Sequence, residues 1–271
     1  MEPIEALRGA SLKIRRAVDG MAGTERAAGD FGRGAGGDIS RGIDVAAEEA
    51  VLSHLRDIGF GCTVLGEECG RVEIPGGPGG HVIMDAIDGS ANAVRGVPFF
   101  CSSLAYAPGD SLSSVSAGVV TNLADGSSYW AASGGGAFSE AGRLSVRTGD
   151  PMYRIVCVNM SGAGAGLAAR LQPVLENNHA RHFGANALEM AMLAAGRVDV
   201  MVDLRGRIRI QDIAAGYLLV REAGGVVLDA DMKPLDSGLG YDARISFLAA
   251  SGRDVLEGAL AGVPAGADRT S

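Results

Sequence analysis

The spacing of apolar residues predicts a helical start and a strand-rich middle for the first half of the chain. Apolar side chains from Ile4 to Val18 recur every three to four residues, which predicts an amphipathic helix that continues to about Met21. A second helix is predicted over residues 44–58, after a glycine-rich stretch. Short apolar runs bounded by turn residues then predict strands, at residues 63–65, 82–86, 102–107, 115–121, 127–131 and 137–138.

The second half alternates between the two kinds of pattern. Strands and helices are predicted there in seven places: strands at residues 154–159, 198–202 and 226–228, and helices at 166–176, 187–195, 212–222 and 253–260. Helices and strands that alternate without a coarse repeat predict a layered α/β architecture. Residues 262–271 are small and polar, and we expect them to form a disordered tail.

Composition narrows the function classes. The chain has 271 residues, 47% of them apolar, and a formal net charge of −8. Nucleic-acid binding normally needs a basic surface, so no nucleic-acid partner is expected. No apolar stretch reaches the roughly 18 residues of a membrane span, and the N-terminus has no basic signal region. We therefore expect a cytoplasmic protein without a membrane partner. The four cysteines show no CxxC spacing, which argues against a zinc site.

The most informative polar pattern is Asp85-Ala86-Ile87-Asp88-Gly89-Ser90, which follows the apolar run at residues 81–84. Two carboxylates three residues apart at a strand end can share a hard cation such as Mg²⁺. The glycine permits a sharp turn, after which backbone amides can point at an anion. By itself the segment is ambiguous, because Asp-Gly-Ser is also ordinary turn chemistry.

Two further acidic segments accompany this one. Glu67 and Glu68 end an apolar run, and Asp212 opens an apolar helical pattern. Each segment also has a purely structural interpretation: the glutamates as solvated charges or first-turn acids of a short helix, and Asp212 as a helix N-cap. A capping aspartate can still direct one carboxylate oxygen at a metal.

A competing motif lies in the glycine-rich stretch. Residues 32–37 satisfy G-x-G-x-x-G, which in a Rossmann domain binds the pyrophosphate of a dinucleotide. That context requires a preceding strand, whereas a helix is predicted to precede the motif here, so a dinucleotide site is not expected. We interpret the stretch as a flexible lid that can bring Asp38 to a metal.

In this order, the three acidic segments resemble the motifs of the inositol monophosphatase family, the lithium-sensitive, magnesium-dependent sugar phosphatases. Residues 183–189, 194–199 and 222–225 are also similar to family segments, so the resemblance extends over about residues 5–260. Residues 202–205, with 89–90 and 97–100, are most similar to the archaeal branch, which hydrolyses both inositol monophosphates and fructose 1,6-bisphosphate. Departures such as Ala86 for proline and Gln211 for tryptophan remove no carboxylate.

The resemblance implies a five-layer αβαβα sandwich. It implies a single catalytic domain over residues 1–261, with a metal-binding half at about 1–145 and a substrate half at about 146–261. Homodimers are common in the family, and we expect one here.

The resemblance also implies two or three Mg²⁺ ions, for which Mn²⁺ could substitute. Without cations, each like-charge pair about 4 Å apart would cost on the order of 4 kcal/mol at an effective dielectric near 20, and a phosphate would be repelled. The implied ligands are Glu67, Asp85 and the Ile87 carbonyl for the first ion, Asp85, Asp88 and Asp212 for the second, and Glu67 with Asp38 for the third.

The implied reaction is direct attack of an activated water on phosphorus, without a phosphoenzyme. Asp44 and Ser90 would orient the water together with Glu67, although Asp44 can equally be interpreted as the N-cap of the second helix. The implied phosphate and sugar contacts are the amides of Gly89 and Ser90, and the side chains of Arg181, Asn186, Asp203, Arg205 and Arg207.

The resemblance thus implies a phosphatase of carbohydrate metabolism that hydrolyses fructose 1,6-bisphosphate, as in gluconeogenesis, and inositol 1-phosphate. Two alternatives stay open. One is a phosphatase of 3′-phosphoadenosine 5′-phosphate or NADP, which would use the same carboxylates. The other is a catalytically silent binding protein of the same fold, against which the intact set of Glu67, Asp85, Asp88 and Asp212 argues.

Overall fold

A computed structural model describes residues 1–33, 39–149, 153–240 and 243–264. The α-helices within these ranges are α1 (Pro3–Ala17), α2 (Glu25–Ala28), α3 (Gly42–Asp57), α4 (Ser90–Arg95), α5 (Ala165–Asn177), α6 (Asn186–Ala194), α7 (Ala214–Glu222) and α8 (Arg253–Ala259). The strands are β1 (Asp30–Arg33), β2 (Ile39–Arg41), β3 (Phe60–Gly66), β4 (Gly70–Ile74), β5 (Gly77–Asp88), β6 (Cys101–Ala107), β7 (Ala117–Asn122), β8 (Ser128–Ala132), β9 (Gly136–Ser139), β10 (Gly142–Arg143), β11 (Ile155–Val158), β12 (His179–Arg181), β13 (Val200–Ile208), β14 (Val226–Leu228) and β15 (Ile245–Ala250).

The strands of the described residues form a large sheet, a smaller sheet and a hairpin. The eight-stranded sheet has the order β10-β9-β8-β7-β6-β5-β3-β4 and is antiparallel except where β3 and β5 run parallel. The five-stranded sheet has the order β12-β11-β13-β15-β14, with β12, β11 and β13 parallel. Strands β1 and β2 pair with each other. The parallel pair in the large sheet matters most, because the carboxyl ends of β3 and β5 lie side by side.

Helices cover both faces of each sheet. Helices α1 and α3 pack on the outer face of the large sheet, where Leu7, Val51 and Leu55 are fully buried. Helices α6 and α7 lie between the sheets, and α7 contacts β6 and β7 on one side and β14 on the other. Helices α5 and α8 bury Leu171 and Leu256 against the outer face of the small sheet. The layers therefore follow the order αβαβα that the resemblance implies.

Most predicted elements are present with shifted ends, and several short ones were not predicted. The first helix ends at Ala17 rather than near Met21, because the chain turns through Gly20 at a φ of 66°. Strands β4 and β12, the hairpin and the short helices α2 and α4 were missed, since each lacks a long apolar period. Strand β15 was missed as well, although residues 245–250 form an apolar run. Two predicted helix starts are wrong. Helix α3 begins at Gly42 instead of Asp44, and α7 begins at Ala214 instead of Asp212.

Several predictions about domains and segments are not decided by the fold. The assignment of residues 1–261 to one catalytic domain stays a prediction. Asp38, with most of the proposed lid, and residues 265–271 of the expected tail lie outside the described residues. Among the helices of the described ranges, none combines the length and the hydropathy that a membrane crossing requires.

Candidate active site

Three acidic side chains meet at the carboxyl ends of β3 and β5. Gly66, the last residue of β3, pairs with Met84 of β5, so that Glu67 and Asp85 follow at the same edge of the sheet. Asp212 reaches them from the turn between β13 and α7. One carboxylate oxygen from each of these three residues lies within 4.8 Å of the other two. Oxygens this close can be shared by one hard divalent cation.

Burial and mutual repulsion raise the pKa values of these carboxyls. Burial is the main cause of the rise of the Glu67 pKa to about 7, and the charge of Asp212 adds to it. Burial also raises the pKa of Asp212 to about 6 and that of Asp85 well above its usual range, the latter with help from Glu67. A donor set of oxygens whose ionised forms repel one another fits a divalent cation, which would restore the ionised state.

Asp88 connects the edge of the large sheet at which the three acids meet to α6. Its Oδ2 accepts a hydrogen bond from the Ala187 amide at 2.6 Å, and the Asn186 amide also bonds to this carboxylate. The contact is favourable because unpaired amides at a helix N-terminus attract negative charge. The structure thus places Asp88 beside Asp85 on β5, tied to the middle helical layer. Its role as a ligand of the second ion stays a prediction.

Ser90 and Asp44 form a hydrogen-bonded pair next to the acids. The Ser90 hydroxyl lies 2.8 Å from Asp44 Oδ1 and 2.9 Å from the Ile87 carbonyl. Asp44 is the third residue of α3, so the N-cap interpretation is wrong. Its Oδ2 instead accepts the Arg41 amide at 3.1 Å, which is the half of a capping box that the residue at the third helical position supplies. Burial raises the pKa of Asp44 to about 6.

Glycine is required at the turn that joins these groups. Gly89 has a φ of 88°, and an added Cβ would lie 3.1 Å from the Gly184 carbonyl and 3.2 Å from that of Phe99. A side chain would be strained in this left-handed conformation and would also press on two backbone segments. The turn therefore sits tightly against the loop that leads into α6.

Two buried glutamates that the sequence reasoning missed hold the loops of the site. Glu48 of α3 is 3% exposed, and its two carboxylate oxygens accept the amides of Glu68 at 2.9 Å and Cys69 at 2.7 Å. Glu189 of α6, equally buried, accepts the amides of Phe183 at 2.9 Å and Gly184 at 3.0 Å. An acid on an otherwise apolar helix face was the available signal for both residues.

The guanidinium of Arg209 contacts the acidic group directly. Nη1 of Arg209 donates to Glu67 Oε1, and the Arg209 amide donates to Asp212 Oδ2 at 3.0 Å. The positive charge lowers the pKa of both acids against the larger effect of burial. Arg209 is not among the substrate contacts that the resemblance implies.

Some of the predicted substrate residues bond to one another, and others do not. Asp203 and Arg205 pair with each other, with Nε of Arg205 2.9 Å from Asp203 Oδ1, and Nη1 of Arg205 donates to the Ser161 carbonyl at 2.8 Å. His182 lies 3.2 Å from the Ser161 hydroxyl, in the same group. By contrast, Arg207 and Arg181 are exposed, and Asn186 is the first residue of α6. Binding of a substrate by any of these residues stays a prediction.

Comparison with known proteins agrees with the motif residues. The model of the inositol monophosphatase family matches residues 3–263. A fructose-1,6-bisphosphatase/inositol-1-monophosphatase of Methanothermobacter thermautotrophicus is 34% identical over 259 residues, which cover 90% of each chain. A bifunctional NADP phosphatase/NAD kinase of Methanococcus maripaludis is 25% identical over 289 residues, which cover 97% of this chain but 49% of that protein.

The fold agrees as well. A solved Pyrococcus horikoshii protein, described as similar to inositol-1 monophosphatase, superposes with a TM-score of 0.80 at 27% identity, covering 96% of this chain and 99% of that one. The layered fold predicted from the resemblance is confirmed. With a family match over nearly the whole length, and with its acids, Gly89 turn and Ser90–Asp44 pair assembled at one sheet edge, the chain belongs to the inositol monophosphatase family of phosphatases.

Proposed function

We propose that this protein is a Mg²⁺-dependent phosphatase that hydrolyses fructose 1,6-bisphosphate and inositol 1-phosphate. The observation that carries the proposal is the convergence of Glu67, Asp85 and Asp212 within 4.8 Å, beside a hydroxyl held by Asp44. The similarity to the fructose-1,6-bisphosphatase/inositol-1-monophosphatase of Methanothermobacter thermautotrophicus supports the choice of substrates. Such an enzyme would act in carbohydrate metabolism, including gluconeogenesis.

The donor set fits hard divalent cations, as the shared oxygens and raised pKa values indicate. We assign Glu67, Asp85 and the Ile87 carbonyl to a first Mg²⁺, Asp85, Asp88 and Asp212 to a second, and Glu67 with Asp38 to a third. When bound, these ions supply the positive charge that attracts phosphate and the Lewis acidity that activates water. Mn²⁺ has the same preference for oxygen ligands and can replace Mg²⁺.

Ser90 and Asp44 orient the attacking water. The Ser90 hydroxyl hydrogen is directed to Asp44 and the Ile87 carbonyl, which leaves the lone pairs of Ser90 Oγ free to accept a hydrogen from water. A carboxyl with a pKa of about 6 is largely ionised at neutral pH and is suited to receive that proton through Ser90. The amides of Gly89 and Ser90 bind phosphate oxygens. In this assignment, these residues hold the attacking water and the phosphate next to each other.

The small sheet supplies the sugar side of the site. Arg205 lies within a group that includes Asp203, Ser161 and His182, so it is already oriented by its neighbours. We assign the exposed Arg207 and Arg181 as candidates for the second phosphate of the bisphosphate, since a guanidinium binds phosphate in a bidentate manner. Arg205 is a third candidate, through the N–H groups that Asp203 and Ser161 leave unused. Asp203 and Asn186 are the candidates for sugar hydroxyls.

The test is phosphate release from four substrates, with Mg²⁺ and with EDTA: fructose 1,6-bisphosphate, inositol 1-phosphate, 3′-phosphoadenosine 5′-phosphate and NADP. We expect Mg²⁺-dependent turnover of the first two and none with EDTA. Asp85→Asn, which keeps the shape of the side chain but removes a charge, is the inactive control. Turnover that persists in EDTA would overturn the metal dependence, and indifference to both sugar phosphates would overturn the substrate assignment.

The alternative substrate class is a nucleotide phosphate. The NADP phosphatase named in the Methanococcus relative favours NADP over the other nucleotides, although that protein is only 25% identical and about twice as long as the matched region. Preference for NADP by kcat/KM in the same screen would select this alternative. The homodimer and the cytoplasmic location stay predictions, and light scattering tests the former.

A further inference from the structure

Arg209 lies directly against the acidic group of the site. It lies in the turn three residues before Asp212, and its side chain is only 15% exposed. Its guanidinium bonds to Glu67, whereas its backbone amide bonds to Asp212. Arg209 therefore contacts two of the three acids whose oxygens converge.

The atom that Arg209 contacts decides what this arrangement does. Oε1 of Glu67 accepts the guanidinium hydrogen, and the Glu67 side chain is 21% exposed. A carboxylate that accepts a guanidinium hydrogen is a weaker ligand for a divalent cation, because the two cations repel each other and share the same negative charge. The planar, permanently charged guanidinium also suits a carboxylate better than an ammonium group does.

We propose that Arg209 and the first metal ion compete for Glu67, so that Arg209 sets the metal concentration at which the enzyme becomes active. The inference rests on the proposed function, since it takes Glu67 to be a metal ligand. At low metal, Arg209 balances part of the negative charge and keeps Glu67 in place. As metal rises, the guanidinium gives up Glu67.

The experiment measures metal binding directly, without substrate. Mn²⁺ is titrated into the full chain after removal of bound metal with EDTA and dialysis, and free Mn²⁺ is followed by electron paramagnetic resonance. We expect Arg209→Gln to bind the first Mn²⁺ about tenfold more tightly than wild type, which corresponds to ~1.4 kcal/mol. Arg209→Met is measured in parallel, so that the result does not depend on the folding of one variant. Both variants keep the backbone bond to Asp212.

Arg143→Gln is the matched control. It removes the same charge from β10, at the opposite edge of the large sheet from β4, and should leave Mn²⁺ affinity unchanged. Thermal unfolding in EDTA provides a second readout, in which Arg209→Gln should melt at a lower temperature than wild type while Mg²⁺ reduces the difference.

The outcomes separate the two proposals. Tighter Mn²⁺ binding in the Arg209 variants but not in the Arg143 variant supports the competition. Unchanged or weaker binding in the Arg209 variants, with normal binding by wild type, would overturn the inference alone. A wild type that binds no Mn²⁺ would overturn the proposed function and the inference together.

Discussion

Replacement of Glu48 by glutamine should lower both the stability of the fold and the affinity of the site for metal. Glu48 lies behind the loop that carries Glu67, and each of its carboxylate oxygens accepts one backbone amide of that loop. Glutamine is nearly the same size, so the change leaves the packing of α3 intact. It replaces one acceptor oxygen by an amide group that can only donate.

The expected loss follows from these two hydrogen bonds. A hydrogen bond to a charged group contributes about 1.5–3 kcal/mol, and a neutral one about 1 kcal/mol. In Glu48→Gln one bond becomes neutral, and the other is replaced by a contact between two donors. Burial raises the pKa of Glu48, so its charged form carries a desolvation cost that glutamine avoids. We therefore expect a net loss of about 2 kcal/mol, or a Tm lower by about 4–8 °C for a chain of this size.

The assay combines thermal unfolding with the Mg²⁺ dependence of phosphate release. Because the loop that holds Glu67 loosens, half-maximal activity should require several times more Mg²⁺, while KM for the sugar phosphate changes little at saturating metal. Glu49→Gln is the matched control, since Glu49 is the exposed neighbour on the same helix. If Glu48→Gln has the Tm and the Mg²⁺ requirement of wild type, the two hydrogen bonds of Glu48 do not position Glu67 and the reasoning is refuted.

Four further outcomes are expected. Asp85→Asn should lower kcat at saturating Mg²⁺ by at least about a hundredfold and, by relieving repulsion, raise the Tm measured in EDTA; near-normal turnover by a folded variant would contradict this. The folded-state pKa values of Glu67, about 7, and Asp44, about 6, lie above the ordinary values of 4.5 and 3.8, so the folded metal-free protein binds protons more tightly than the unfolded chain. Its Tm in EDTA should therefore rise as the pH falls from about 8 to about 5, and Mg²⁺ should flatten or reverse this trend; calorimetry across that range checks the sign. Arg205→Ala or Arg207→Ala should raise KM for the bisphosphate more than for inositol 1-phosphate, and an equal shift for both substrates would exclude that arginine as the second phosphate site. Lithium should inhibit turnover, as in sensitive members of the family, and full activity at lithium concentrations far above those that inhibit them would rule this out.

The sequence was informative wherever chemistry depends on short spacing. The motif around Asp85 and Asp88 ends a strand as predicted, and the strand predicted before Glu67 pairs alongside it. Spacing in the sequence could not show which backbone amides the acidic side chains would bind. Asp44 looked like an N-cap because acids favour helix starts, but helix α3 begins two residues earlier and Asp44 caps it from its third position.

The contacts between distant segments were beyond the reach of sequence patterns. Arg209 pairs with Glu67, which lies 142 residues away, and Glu189 binds amides of the loop before α6. Both contacts depend on how two sheets meet across a layer of helices. A helical period can show that Glu48 lies on a buried face, but it cannot show which loop amides it meets. These contacts between residues that are distant in sequence could therefore be identified only from the fold.

The bond between Asp88 and the start of α6 makes the site sensitive to the cohesion of the whole molecule. The Asp88 carboxylate, at the end of β5, is held by amides of α6, a helix that packs against β5, β6 and β7 of the large sheet and against β13 of the small sheet. Any loosening of α6 against the large sheet would withdraw that support and disturb Asp88 without a change in any acidic residue of the site. By linkage, a metal that binds through Asp88 must then favour the docked arrangement. Substitutions on the face of α6 that packs against the large sheet would consequently lower metal affinity, although they replace none of the acids.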